Sequence, residues 1–122
     1  MKGLIVYSSL SGNTRKVAEA IAEVAEDGEL ISVKEFQPSM RVNFDLFYVG
    51  YWVDKGDCDA ASLHMLEQLK DCKIILFGTL GAAECTDYYD RVKASVEAHA
   101  AHCHILGHFL CQGAVSLSLI HI

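Results

Sequence analysis

Seven residues near the start of the chain, Ser8-Ser9-Leu10-Ser11-Gly12-Asn13-Thr14, concentrate groups that bind an oxyanion. Ser8, Ser9, Ser11 and Thr14 supply hydroxyl donors. Gly12 lets the backbone approach a ligand closely, and Asn13 either caps a helix or donates from its amide. Such a set suits a terminal phosphate where a strand ends and a helix begins. The first amides of a helix are unpaired there and lie at the positive end of its dipole. Two other phosphate-binding designs are excluded by spacing. There is no Gly-x-x-x-x-Gly-Lys-Ser/Thr, so nucleoside triphosphate hydrolysis is not expected, and no Gly-x-Gly-x-x-Gly, so the dinucleotide fingerprint is absent. The plainer alternative is a Ser/Gly turn that only caps a helix.

The flanking pattern puts the loop at such a junction. Leu4-Ile5-Val6-Tyr7 is a continuous apolar run, as in strands covered on both faces. Val17, Ile21, Val24 and Ala25 then recur at helical spacing as far as Asp27-Gly28, a helix stop. Further strands are predicted over Leu30–Val33, Leu46–Val53, Ile74–Phe77 and Ile105–Leu110. Helices are predicted around Leu63, Leu66 and Leu69, and around Tyr89, Val92, Val96 and Ala100. The alternation implies an α/β doubly wound parallel sheet, in which ligands sit at the carboxyl ends of the strands.

Bulk properties bound the function. The 122 residues suit one domain, and 52% hydrophobic with 21% charged residues is ordinary globular composition. The net charge is −6, and Lys and Arg do not cluster. Nucleic acid and anionic membranes are therefore not expected as partners, since both need a concentrated basic face, while basic protein partners suit the charge. No signal peptide is evident before the first strand, and no apolar run approaches the roughly 20 residues of a membrane span, so a cytoplasmic location is expected. The five cysteines show no Cys-x-x-Cys and argue against a disulfide framework. His99, His102, Cys103, His104, His108 and Cys111 cluster in sequence but match no established ligand spacing, and no metal site is expected from them. Cys111 lies near the carboxyl end of the last strand and is read as a packed thiol. No Ser/His/Asp or Cys/His catalytic set stands out.

The run Ile5-Val6-Tyr7-Ser8-Ser9-Leu10-Ser11-Gly12-Asn13-Thr14 resembles the phosphate loop of flavodoxins, and the order of strands and helices resembles that family along nearly the whole chain. The resemblance implies a flavodoxin-like five-stranded parallel sheet in the order 2-1-3-4-5, FMN as cofactor, and electron transfer between a reductase and an acceptor protein. It further implies that two more loops hold the flavin ring. In the first, Trp52 is the leading ring contact and Tyr51 the second, with Val53 beside them; the two aromatics cannot face the same way if the strand runs that far. Gly56 would permit a backbone rearrangement at a ring nitrogen, and Asp54 and Asp57 would disfavour negative charge on the ring. In the second, Thr79, Leu80 and Gly81 suit backbone contacts to the ring edge, and Tyr88 or Tyr89 is a weaker ring contact. A flavin or quinone reductase of the same fold, and a flavin-free binding module, are the alternatives.

The chain departs from the family after its fifth strand, where no amphipathic helix of usual length fits and the final helix is read as missing. Leu117-Ser118-Leu119-Ile120-His121-Ile122 resembles a translated sequencing adapter. Residues 1–116 are therefore read as the domain and 117–122 as a non-native tail.

Overall fold

The computed structural model describes residues 2–81 and 86–112. The expected tail, and the place where a final helix would stand, lie outside the described residues. Five parallel strands form the sheet: β1 (Gly3–Tyr7), β2 (Gly28–Ser32), β3 (Leu46–Asp54), β5 (Lys73–Leu80) and β6 (His104–Gln112). Their order is β2-β1-β3-β5-β6, with the two-residue β4 (Asp57–Cys58) paired to β3 off this path. Apart from β4, this is the expected order. Helices α1 (Asn13–Val24), α2 (Ala60–Gln68) and α3 (Thr86–His99) connect the strands.

The strands are apolar in consecutive residues because each separates two cores. Leu4, Val6, Phe47, Val49, Tyr51, Ile74 and Leu76 join one core, which also contains Met65 and Leu66 of α2 and Val92 and Val96 of α3. Ile5 and Phe77 face the other way and pack with Val17, Ala18 and Ile21 of α1. Each large side chain removed from water this way stabilises the fold by about 1.5–3 kcal/mol. Ile105 and Leu110 of β6 both reach the core on the α2 and α3 side despite an odd separation, because the register with β5 shifts between Ile74 and Ile75.

Two local differences from the predicted elements matter. The second strand stops at Ser32 rather than Val33, because Ser32 and Glu35 form a capping box that starts a short 3-10 helix, Val33–Glu35. The loop that the resemblance implied after the third strand is a tight hairpin. Val53 pairs with Cys58 and Asp54 with Asp57, and the turn residues Lys55 and Gly56 both have positive φ. Among the described residues, no helix is long and apolar enough to cross a membrane.

Candidate functional site

At the carboxyl edge of the sheet lies a cavity of about 210 Å³ lined by Leu10, Ser11, Asn13, Trp52, Val53, Thr79, Leu80 and Gly81. It joins the β1–α1 loop to the ends of β3 and β5, so three segments far apart in sequence meet in one place. A larger hollow of about 270 Å³ beside Phe36 and Met65 collects none of these residues.

The loop reaches this edge through Gly12, whose left-handed backbone (φ 92°) precedes the first turn of α1. No side chain caps that helix. Asn13 is its first helical residue, not its cap, and donates from Nδ2 to Ser11 Oγ at 3.1 Å. The Gly12 amide donates to Ser9 Oγ at 2.9 Å. Leu10 is 75% exposed and stands free at the rim.

Beneath the rim the hydroxyls serve the scaffold. Ser8 donates its backbone amide to the Gly50 carbonyl and its hydroxyl to Asp59 Oδ2 at 2.6 Å. Asp59 is 2% exposed and is the N-cap of α2. It also accepts from the Ser62 amide (3.2 Å), the Ser62 hydroxyl (2.8 Å) and the Trp52 amide (3.2 Å). The Asp59 amide in turn donates to the Trp52 carbonyl. One buried carboxylate thus fastens the β1–α1 loop to the segment carrying Trp52. Thr14, also buried, lies 2.7 Å from the Thr79 hydroxyl and donates to the Tyr51 carbonyl at 3.4 Å. Of four hydroxyls expected to face an anion, Ser8 and Thr14 are therefore engaged inside the protein. Among the described residues, no buried side-chain polar atom lacks a partner. Asp59 escaped sequence reasoning, although Asp59-x-x-Ser62 ahead of Leu63, Leu66 and Leu69 is an N-cap pattern.

Strand alternation decides between the two aromatics. Trp52 is half-buried and lines the cavity. Tyr51 is fully buried and lies in the core on the other side, away from the cavity lining. Its hydroxyl is 2.6 Å from His108 Nε2, and His108 Nδ1 is 2.8 Å from Glu97 Oε2. Burial drives the Tyr51 phenol far above its usual range, reinforced by Cys58, Glu97 and Asp57. Burial pushes His108 below its usual value, with the Glu97 carboxylate partly opposing the shift. The Tyr51 ring fits because position 78 is glycine: a Cβ there would lie 2.4 Å from Tyr51 Cζ and 2.7 Å from Leu110 Cδ2.

The remaining expected residues divide similarly. Val53, Thr79, Leu80 and Gly81 line the cavity, whereas Gly56 sits at the hairpin turn and does not. Asp54 is exposed. Asp57 faces α3, where its Oδ2 lies 2.7 Å from His99 Nε2. Burial alone would raise the Asp57 carboxyl, but hydrogen bonds from His99 and the Cys58 amide outweigh it and hold the group below the usual carboxylate range. Tyr88 packs against the core, with Arg91 over its ring, and neither Tyr88 nor Tyr89 lines the cavity. Cys111 is partly buried against the α1-side core, and burial raises its thiol.

The fold and the sequence both have relatives among known proteins. A family model described as Flavodoxin domain matches residues 4–122. The flavodoxin-like domain-containing protein BilS of Clostridioides difficile (strain CD3) is 41% identical over 123 aligned residues, covering 98% of this chain and 70% of the relative. BilS of Clostridium symbiosum (strain WAL-14163) is 33% identical over 142 residues, covering 98% and 72%. Among solved structures, a flavoprotein in complex with FMN from Lactobacillus acidophilus NCFM superposes with a TM-score of 0.71 at 21% identity, over 89% of this chain and 92% of that one. Two-electron reduced Megasphaera elsdenii flavodoxin gives a TM-score of 0.66 at 17% identity, over 95% and 89%. These structures share the fold, while the family match and the sequence relatives carry the kinship. The chain belongs to the flavodoxin family.

Proposed function

We propose that the cavity binds FMN and that the protein carries electrons between a reductase and an acceptor protein. The observation that carries this reading is the meeting of three segments around one cavity that opens beside an uncapped helix N-terminus. The donors present fit the group. Ser11 and Asn13 lie at one end, beside the first amides of α1, and suit a phosphate. Leu10, Trp52, Val53 and Leu80 provide an apolar wall for a flat ring.

In this reading Ser9, Ser11, Gly12, Asn13 and the first turn of α1 hold the phosphate. Ser8 and Thr14 keep the loop in shape from below, through Asp59 and Thr79. Trp52 covers a ring face, Leu10 closes over it from the exposed rim, and the backbone of Thr79, Leu80 and Gly81 meets the ring edge. Bound FMN supplies the redox chemistry, and the protein supplies binding, orientation and exclusion of water. The described residues lining the cavity include no acid, base or thiol. The net charge of −6 suits basic redox partners.

Titrating FMN into the purified protein should quench flavin fluorescence, and Trp52→Ala should remove most of the quenching. Absence of quenching in the unmodified protein would overturn the reading. Steady oxidation of NAD(P)H without an added reductase would replace the carrier by the reductase alternative.

A further inference from the structure

The β3–β4 hairpin and the last turn of α3 bring together three donor groups that the flavin reading does not use. The turn at Lys55 and Gly56 reverses the chain, and the Asp59 cap holds the returning leg in place. Asp57 and Cys58 occupy that leg, and His99 ends α3 beside it. A carboxylate oxygen of Asp57, Cys58 Sγ and a ring nitrogen of His99 all lie within 4.8 Å of one another. Sequence spacing hid the cluster, because His99 and Asp57 are 42 residues apart.

We propose that Asp57, Cys58 and His99 form a binding site for one divalent transition-metal ion of the Zn²⁺ class. One thiolate, one imidazole and one carboxylate make a donor set that Zn²⁺ and Co²⁺ take in tetrahedral sites, whereas Ca²⁺ and Mg²⁺ require oxygen ligands throughout. With bonds of about 2.0–2.3 Å, tetrahedral donors stand about 3.3–3.8 Å apart, so the existing cluster closes on an ion with shifts of about 1 Å. The side chains that must move are the freer ones, His99 at 29% and Asp57 at 32% exposure. Cys58, 7% exposed, forms the buried end. An ion therefore enters from the Asp57 and His99 side, where water completes the fourth position.

Binding exchanges the His99–Asp57 hydrogen bond for two metal bonds and converts the Cys58 thiol to a thiolate, releasing its proton to solvent. Neutral His99, anionic Asp57 and anionic Cys58 balance the charge of the ion. The Cys58 amide, which donates to Asp57 Oδ1 at 2.7 Å, orients the carboxylate as a supporting group does in established sites. The ion would staple α3 to the hairpin that carries Trp52 and Val53.

Co²⁺ added to the full chain tests the site independently of FMN. Equimolar Co²⁺ should produce a thiolate-to-cobalt charge-transfer absorption with tetrahedral d–d bands, and Zn²⁺ should abolish both. Cys58→Ser should remove the charge-transfer band and weaken Co²⁺ binding by at least about 100-fold, the upper range for loss of a mere supporting group. His99→Gln, at a partly exposed helix end, should weaken binding similarly and serves if Cys58→Ser fails to fold. The paired variant Cys72→Ser, Cys103→Ser should bind unchanged. Absence of the charge-transfer band, or its persistence in Cys58→Ser, would overturn the proposal and leave the cluster as a hydrogen-bonded His99–Asp57 pair packed on a thiol.

Discussion

The rim of the cavity and the layer beneath it are built from similar residues and behave differently. Ser11, Asn13 and Leu10 at the rim are exposed or half-exposed and are tied, where tied at all, only to their own loop. Ser8, Thr14, Asp59, Ser62 and Thr79 below are buried and bonded to one another, Ser8 to Asp59 and Thr14 to Thr79 across elements and Ser62 to the cap of its own helix. A hydroxyl in the lower layer that lost its partner would be stranded without water, at a cost of about 1–3 kcal/mol. A rim hydroxyl that loses its partner simply turns to solvent. The rim is therefore free to be specified by a ligand, and the floor by the fold.

The comparison breaks first if the floor tolerates change. Gly78→Ala drives a Cβ into the Tyr51 ring and should cost about 3 kcal/mol in urea unfolding, at the upper end for overpacking. A loss below 1 kcal/mol would mean that the Tyr51 layer repacks freely. Asp59→Ala strands donors from Ser8, Trp52 and Ser62 and should cost about 2 kcal/mol, with FMN affinity falling in parallel. Normal stability with lost affinity would move Asp59 from the floor to the rim.

Acid probes the floor more gently. His108 sits in the core beside Tyr51, Glu97 and Lys93, and its folded value lies below the unfolded one near 6.5. The unfolded chain therefore binds the proton first as pH falls. The contribution is fully present above about pH 6.5 and is lost as pH drops from there through the lowered folded value. Stability curves of the protein and of His108→Gln should converge in shape above that range and diverge below it; parallel curves would remove His108 as the cause. The smallest effect on stability is expected at the rim. Leu10→Ser should change stability by no more than about 0.5 kcal/mol, yet lower FMN affinity about tenfold, or 1.4 kcal/mol. Unchanged affinity would take Leu10 out of the binding surface.

Much of this was legible in the residue pattern, for reasons local to each element. The runs Leu4–Tyr7, Leu46–Val53 and Ile74–Phe77 read as buried strands because a strand between two cores needs apolar side chains on both faces. The junction at Gly12 and Asn13 was visible because turn chemistry is local. The β4 hairpin was missed because only two residues pair in it. Tyr51 and Trp52 were both candidates, since strand alternation says that they diverge without saying which one meets the ligand.

What the amino-acid order determined alone is the family, the strand and helix sequence, and the location of the phosphate-type loop, all consequences of short-range periodicity and turn chemistry. Which hydroxyls stay free for a ligand was decided only in three dimensions. Ser8 meets Asp59 at a separation of 51 residues, Thr14 meets Thr79 at 65, and His108 meets Tyr51 at 57. A side chain's role as ligand or as strut depends on whether folding delivers a partner within hydrogen-bond reach, and no local pattern encodes a partner that far along the chain.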